Sequence, residues 1–295
     1  MGYEVNCATD TGNTGYSVQC ENTQIAPCGV ILTPQGASID TEANALLLAT
    51  WKTKIKTADP NRWHPLMVCD TITPEDSENV MKERPFLGGK FISWGKQGFT
   101  MEFDAPIYTS KQLAKLINGK KWSAFIYDDN GNIEGFSSDG IKFQPRPLLT
   151  AQVLPPKTPG AGENRTTSVK FIFSDTEMYM KERVIIKPTD WNPATDLEGV
   201  CNVDVAVVGA WSASGGTVRV TFAGTDRPVT GLLYTDFVIP SKSITVATPS
   251  GDGGTYAITS STLTTSTINI KPAANITGVT AYIIENLVPT AFTVA

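Results

Sequence analysis

The sequence predicts a mainly β protein with a small α content, closed by a C-terminal β-sandwich. Three observations predict it. Charge thins abruptly after Gly199: the 96 residues from Val200 onward carry nine charged side chains, and the 199 before them carry 44. The same tail is dominated by Thr, Ser, Gly, Val and Ile, and its β-branched members suit a pleated, half-buried surface. Short strand-like runs recur through it between Gly-rich turns, with no helical period.

Those runs fall at residues 202–209, 216–223, 237–240, 243–248, 255–260, 266–272, 278–284 and 288–294. In 216–223 the order GTVRVTFA puts Val218, Val220 and Phe222 on one face, with Arg219 and Thr221 on the other. Ser214-Gly215-Gly216, Gly224-Thr225-Asp226 and Ser250-Gly251-Asp252-Gly253-Gly254 mark the turns. Short strands at this spacing make residues 200–295 a sandwich, an architecture suited to stability or adhesion.

Residues 1–60 read as an N-terminal extension with one helix, over about 40–56. Asp40 or Thr41 caps that helix, and Leu46, Leu47, Leu48 and Trp51 supply a broad apolar face. Asp59-Pro60 ends it. Residues 61–190 read as a separate β domain. Within it, 90–94 and 99–103 are expected to pair as a hairpin around Gly95-Lys96-Gln97-Gly98. A short helix is expected over 110–118, with Ser110 at its N-cap, Leu113, Leu116 and Ile117 buried, and Gly119 at its C-terminal stop. Strands at 122–127 and 133–136 flank Asp128-Asp129-Asn130-Gly131-Asn132, where Asn-Gly tolerates positive φ. Two more strands are expected at 140–144 and 168–174; Val169, Phe171 and Phe173 share one face of the second. Residues 188–193, with two prolines and an Asn, read as a linker to the tail.

A long loop is predicted over 145–167, with Pro145, Pro147, Pro155, Pro156, Pro159, Gly160 and Gly162 within it. Such a loop inside a compact domain is uncommon unless it functions or orders on assembly. Pro147, Pro155, Pro156, Gly160 and Asn164 are therefore candidate inter-subunit residues; a flexible linker is the alternative reading.

The net charge of −5 and pI of about 5.0 argue against a general nucleic-acid coat. No apolar run approaches the roughly 18 residues of a membrane span. The opening residues lack a basic segment followed by an apolar stretch, so synthesis in the cytoplasm is expected. The five cysteines, Cys7, Cys20, Cys28, Cys69 and Cys201, are odd in number and include no CxxC pair. They read as reduced, small buried hydrophobes rather than as a disulfide framework or a zinc site with His64. His64, the sole histidine, lies between Trp63 and Pro65 in what reads as a packing position. The GxxxxGK[ST], GxSxG and HExxH frames are missing, and the acidic turn at 128–132 lacks the glutamate that would complete a calcium loop. No enzyme, cofactor or metal is expected. Lys111, Lys115, Lys120 and Lys121 beside Trp122 read as a solvated helix face.

The order hairpin, short helix, strand, Asn-Gly turn, strand, strand, long loop, strand is carried by KFISWGKQGFTMEFDAP, SKQLAKLINGKKWSAFIYDDNGNIEG, GIKFQPRP and TSVKFIFSD. This order resembles the tail-tube (major tail) proteins of tailed bacteriophages. The segments 61–66 and 128–132 also resemble virion proteins of phages infecting Bacteroidetes, including crAss-like phages. The resemblance covers roughly residues 60–187 and rests on element order more than on any motif. It implies a tail-tube-like β-sandwich or barrel with a flanking helix, followed by a C-terminal Ig-like β-sandwich. It implies subunits that form homo-oligomeric, stacked rings in the virion, contact other tail or neck proteins, and let genomic DNA pass without specific binding. An acidic lumen would repel DNA phosphates, with Asp128, Asp129, Glu134 and Asp139 as its candidates. A host-surface glycan bound by the Ig-like module is a further implied partner. A neck or adaptor, head-decoration or adhesion protein is the alternative.

Overall fold

The computed structural model describes residues 3–5, 26–82, 90–104, 107–155, 166–174, 176–177, 182–279 and 281–294, with backbone alone for 3–5 and 107–109. The chain is mainly β, as its sequence predicts. It divides into two compact units, Met1–Lys54 with Asn61–Leu197, and Ile55–Pro60 with Glu198–Ala295.

The first unit runs β1 (Tyr3–Val5), β2 (Pro27–Pro34), α1 (Glu42–Ala45), α2 (Leu48–Lys56), β3 (His64–Pro65), β4 (Thr71–Pro74), β5 (Val80–Lys82), β6 (Lys90–Ser93) and β7 (Gly98–Phe103). It continues with α3 (Ile107–Ile117), β8 (Trp122–Asp128), β9 (Ile133–Phe136), β10 (Arg146–Val153), β11 (Thr167–Phe173), β12 (Arg183–Lys187) and α4 (Pro193–Asp196). A curled sheet has the order β1-β12-β9-β8-β10-β11-β7-β4, and β2 joins it by pairing with β8 and β3.

Strand β8 explains why the sheet is built this way. All seven of its residues are buried. Successive side chains of a strand point to opposite faces, so β8 serves two cores. Trp122, Ala124 and Ile126 join Val30, Leu32, Met101, Phe103 and Phe171 in one. Phe125 faces the other, stacked on Phe143 at 4.9 Å and edge-on to Trp51 at 5.0 Å. One edge of β8 is taken along its whole length by β2; β9 and β10 share the other. Strand β2, which falls in the region expected as an N-terminal extension, is thus integral to the main sheet.

Several expectations change in detail. The helix expected over 40–56 is two helices. Thr41 caps α1, accepting from Asn44 N–H at 3.2 Å. The carbonyls at the break are taken by tryptophans, Ala45 by Trp51 Nε1 at 2.8 Å and Leu46 by Trp191 Nε1 at 2.7 Å. Those indoles replace the helical donors that would otherwise be required. Helix α3 begins at Ile107, so Ser110 lies inside it, bonded to the Thr167 hydroxyl. Gly119 closes it with φ of +76°. The stretch 188–193 is docked rather than a free linker: Trp191 joins the Trp51 cluster and Asn192 caps α4. Residues 140–144 form only isolated bridges, through Phe143 and Gln144.

Two larger corrections concern pairing. Strands β6 and β7 do not pair with each other. β6 pairs with β5, whereas β7 lies between β4 and β11. The first part of the expected loop, Pro147 included, is strand β10, which pairs with β8 and then crosses to β11. Pro147 is tolerated because it sits at that handover, where its carbonyl accepts from Ser174 N–H at 3.0 Å.

The second unit contains β13 (Val200–Ser212), β14 (Gly215–Phe222), β15 (Phe237–Val238), β16 (Ile244–Ser250), β17 (Thr255–Ser260), β18 (Ser266–Ile270), β19 (Ile283–Glu285) and β20 (Thr290–Phe292). Each expected tail run overlaps one of them. One sheet has the order β16-β17-β14-β13-β19 and the other β15-β18-β20. Val205, Val218, Val220, Tyr256, Ile258 and Ile268 belong to their shared core. Trp211 stacks on Phe292 at 4.2 Å and lies over Gly216, where any Cβ would fall 2.2 Å from the indole. The fully buried Asp236 accepts from the backbone N–H groups of Leu233, Thr277 and Gly278, at 2.9, 2.8 and 2.9 Å.

Phe125→Ala should cost about 3–5 kcal/mol of stability, because the Trp51 cluster cannot close over the void. Leu47→Ala, at a side chain 54% exposed, should change stability by less than about 0.5 kcal/mol. Urea unfolding followed by tryptophan fluorescence measures both.

Candidate assembly surface and buried ion network

An antiparallel arm of the first unit carries several exposed apolar side chains. Residues 71–82 run antiparallel to 90–103 along their whole length, first as β4 with β7, then as β5 with β6. Between the two ladders the acidic stretch supplies the pairing. Glu75 N–H donates to Gly98 O and Ser77 N–H to Lys96 O, both at 2.8 Å. Gly95 N–H donates to Asn79 Oδ1 at 2.8 Å, and Gly98 N–H to Asp76 Oδ1 at 3.1 Å. Gly95 is required by close approach: a Cβ there would lie 1.8 Å from Ser77 O. The base of this arm is anchored by Glu75, which accepts from Thr100 Oγ1 at 2.7 Å and pairs with Lys170. The Lys170 ammonium and the Thr100 hydroxyl hold the Glu75 carboxyl below its usual value.

The distal ribbon shows a different chemistry. Val80, Met81, Phe91, Ile92 and the adjoining Trp94 each remain 42–54% exposed. A two-stranded ribbon is marginal by itself in water, and a contiguous apolar surface marks a contact site. Among the described residues β4 has a strand neighbour on one side only, which leaves a sheet edge beside the arm.

The acidic residues separate into two kinds. Asp128 is buried, accepting from the Asn132 backbone N–H at 2.9 Å and its side-chain amide at 2.7 Å. Glu134 is also buried, 2.8 Å from Arg183 and 3.7 Å from Arg146. Arg146 in turn donates to Gln97 Oε1 at 2.9 Å and stacks on Phe173 at 3.7 Å. Asp128 and Glu134 are therefore structural groups and do not supply the solvent-facing acidic surface expected of them. Asp129 and Asp139 are exposed. The carboxyl of Asp139 is lowered by the backbone N–H groups of Lys142 and Ile141. Of the candidate loop residues, Pro147 lies in β10 and Pro155 is exposed just beyond it; Pro156, Gly160 and Asn164 lie outside the described residues.

A cavity of about 520 Å³ opens within this unit, its walls including Ile72, Phe99, Ile126, Phe173 and the two arginines. Its carboxylates are engaged, Glu134 by the arginines and Asp76 by Gly98. No cluster of three or more metal-ligating side chains occurs among the described residues. His64 packs edge-on against Trp122 at 5.5 Å. No helix among the described residues is long and apolar enough to cross a membrane. No protein-family profile matches the sequence, and no curated protein is similar to it.

Glu134→Ala should destabilise the first unit by about 2–4 kcal/mol, since it strands two guanidiniums, one of them deeply buried; chemical denaturation measures the loss. For Glu75 the sign follows from its lowered folded value. Its contribution is complete above the ordinary carboxylate range and disappears as pH falls through the lowered value. Acid titration should find wild type more stable than Glu75→Gln near pH 6, with the difference shrinking as pH falls below the ordinary carboxylate range.

Proposed function

We propose that the chain is a virion structural protein, a tail-tube or tail-ring subunit that oligomerises into rings forming a conduit for genome delivery. One observation carries this reading: a long, polar-anchored antiparallel arm that carries an exposed apolar ribbon, continuing from a curled sheet whose β4 edge is open among the described residues. Such an arm is suited to a neighbouring copy, which would cover the ribbon and extend its ladder. In this reading the arm formed by 71–82 and 90–103 joins the 145–167 segment as a candidate inter-subunit element. Asp129 and Asp139 remain as the candidate lumen acids. Stacked rings, tail or neck proteins and passing DNA are the partners of this reading.

The second unit would then be an Ig-like decoration. Its loop residues Leu287 and Val288 are strongly exposed and favour a surface contact, so a neck, head-decoration or adhesion role binding a host glycan is the second reading.

Negative-stain microscopy and light scattering across concentrations test the assembly. Wild type should form rings, tubes or discrete oligomers. Phe91→Ser with Trp94→Ser should weaken association at least about tenfold while leaving monomer stability within about 0.5 kcal/mol. A wild-type protein that stays monomeric at every concentration overturns the reading.

A further inference from the structure

Strand β2 leaves regular pairing with β8 at one place. Pro27 faces Asp128 and Gly29 faces Tyr127, so Cys28 is the extra residue of a bulge, a device that re-aims a side chain. On the other side of β2, the chain leaving β3 runs antiparallel to it. Leu66 N–H donates to Val30 O at 2.9 Å and Cys69 N–H to Cys28 O at 2.8 Å. The two cysteines thus meet across a backbone hydrogen bond. With that one bond at 2.8 Å, standard backbone dimensions keep the two Cα atoms at most about 6.7 Å apart, inside the roughly 4.4–6.8 Å that a disulfide spans. Their side chains share surroundings: the Asp129 carboxylate raises both thiols, and both thiols raise the Tyr127 phenol. Both thiols are reduced in this structure.

We propose that Cys28 and Cys69 form a built cross-link site, which closes to a disulfide when the folded chain meets a small-molecule disulfide such as oxidised glutathione. The steps balance. The more exposed Cys69 thiolate attacks one sulfur of the oxidant, forming a mixed disulfide and releasing one thiolate. The Cys28 thiolate then attacks Cys69 Sγ and releases the second. Two protein thiols lose two electrons to the oxidant, and their protons pass to the two glutathione thiolates.

The bond ties the bulge of β2 to the segment just ahead of edge strand β4, closing a loop that carries α1, α2 and β3. It stays open in a reducing compartment and closes once the protein leaves it. Closure is slow near neutral pH. Burial, then Asp129, with Asp128 and Cys69 adding to it, pushes the Cys28 thiol up; burial, Asp70 and Asp129 push Cys69 up, against a backbone hydrogen bond that lowers it. The rate should rise roughly tenfold per pH unit while the thiolate is the minor form. Asp129→Asn removes a negative charge felt by both thiols and should speed closure several-fold.

The test uses the full chain with Cys7, Cys20 and Cys201 replaced by Ser, incubated with oxidised glutathione at pH 7.5 and 9.0, quenched with iodoacetamide and read by intact mass and peptide mapping. The expected product is lighter by two hydrogens, joins Cys28 to Cys69, forms faster at the higher pH and reverts with dithiothreitol. Its Tm should exceed that of the reduced form by roughly 5–10 °C. Cys69→Ser, at the more exposed position, should match the reduced parent in Tm and never close. A persistent glutathione adduct on Cys69 without closure overturns the proposal, as does closure only under denaturing conditions, or a closed form with a lower Tm.

Discussion

Strand β8 has no solvent side, and most of the first unit follows from satisfying it. A strand buried on both faces must place its entire backbone in ladders and both sets of side chains in cores. One edge is matched along its whole length by β2, with a single bulge at Cys28, which is why a segment far towards the N-terminus becomes a central strand. On one face the core is aliphatic and phenylalanine-rich; on the other it is a cluster of large aromatics around Trp51. The second core reaches beyond the sheet. Trp51 and Trp191 each spend an indole N–H on a carbonyl at the α1–α2 break, so packing and helix termination are one event. Disturbing that cluster loosens the turn that caps it.

The elements that were legible in the sequence are those defined locally. Period-two alternation and Gly-rich turns mark the tail strands. The Asn-Gly turn marks the β8–β9 hairpin, where Gly131 has φ of +81°, and Gly119 marks the end of α3. What could not be read was who pairs with whom. Gly95 and Gly98 look like a turn between β6 and β7, yet they are needed where two backbones approach, beside Ser77 and Phe171. The proline run from 145 onward looks like loop throughout, but prolines are tolerated at a strand's handover between neighbours. Composition reports breakers and formers; it does not report whether a glycine opens a turn or admits a neighbouring strand.

The acidic residues failed for a related reason. Acidic groups at a hairpin tip are usually solvated, and this expectation holds for Asp129. It fails for Glu134, because the arginines that neutralise it arrive from β10 and β12, strands whose adjacency is a property of the sheet. Asp236 in the second unit makes the same point. In a charge-poor sandwich a lone carboxylate is costly unless its oxygens are saturated, and backbone donors saturate it: Leu233 from the same turn, and Thr277 and Gly278, distant in sequence and invisible to local pattern.

The arm joins these lines of argument. Its base is held by side-chain carboxylates and hydroxyls that bond the opposite backbone, a polar ladder strong enough to carry the strand direction past the sheet. Its distal half is held by the β5–β6 ladder and exposes five large apolar side chains. Exposed apolar surface of this extent is a liability in a free monomer, so its retention on a rigidly anchored ribbon is understandable when a partner covers it. Rigidity also matters to affinity. A ribbon already held in its bound conformation loses little conformational entropy on docking, so five side chains on a short ladder can suffice where a floppy loop of the same composition would not. The sequence had placed the reaching element in the proline-rich 145–167 segment, whose recognition would have required ordering on contact. The arm is preformed instead, so in the proposed assembly it would lose less conformational entropy on docking than a loop that orders on contact.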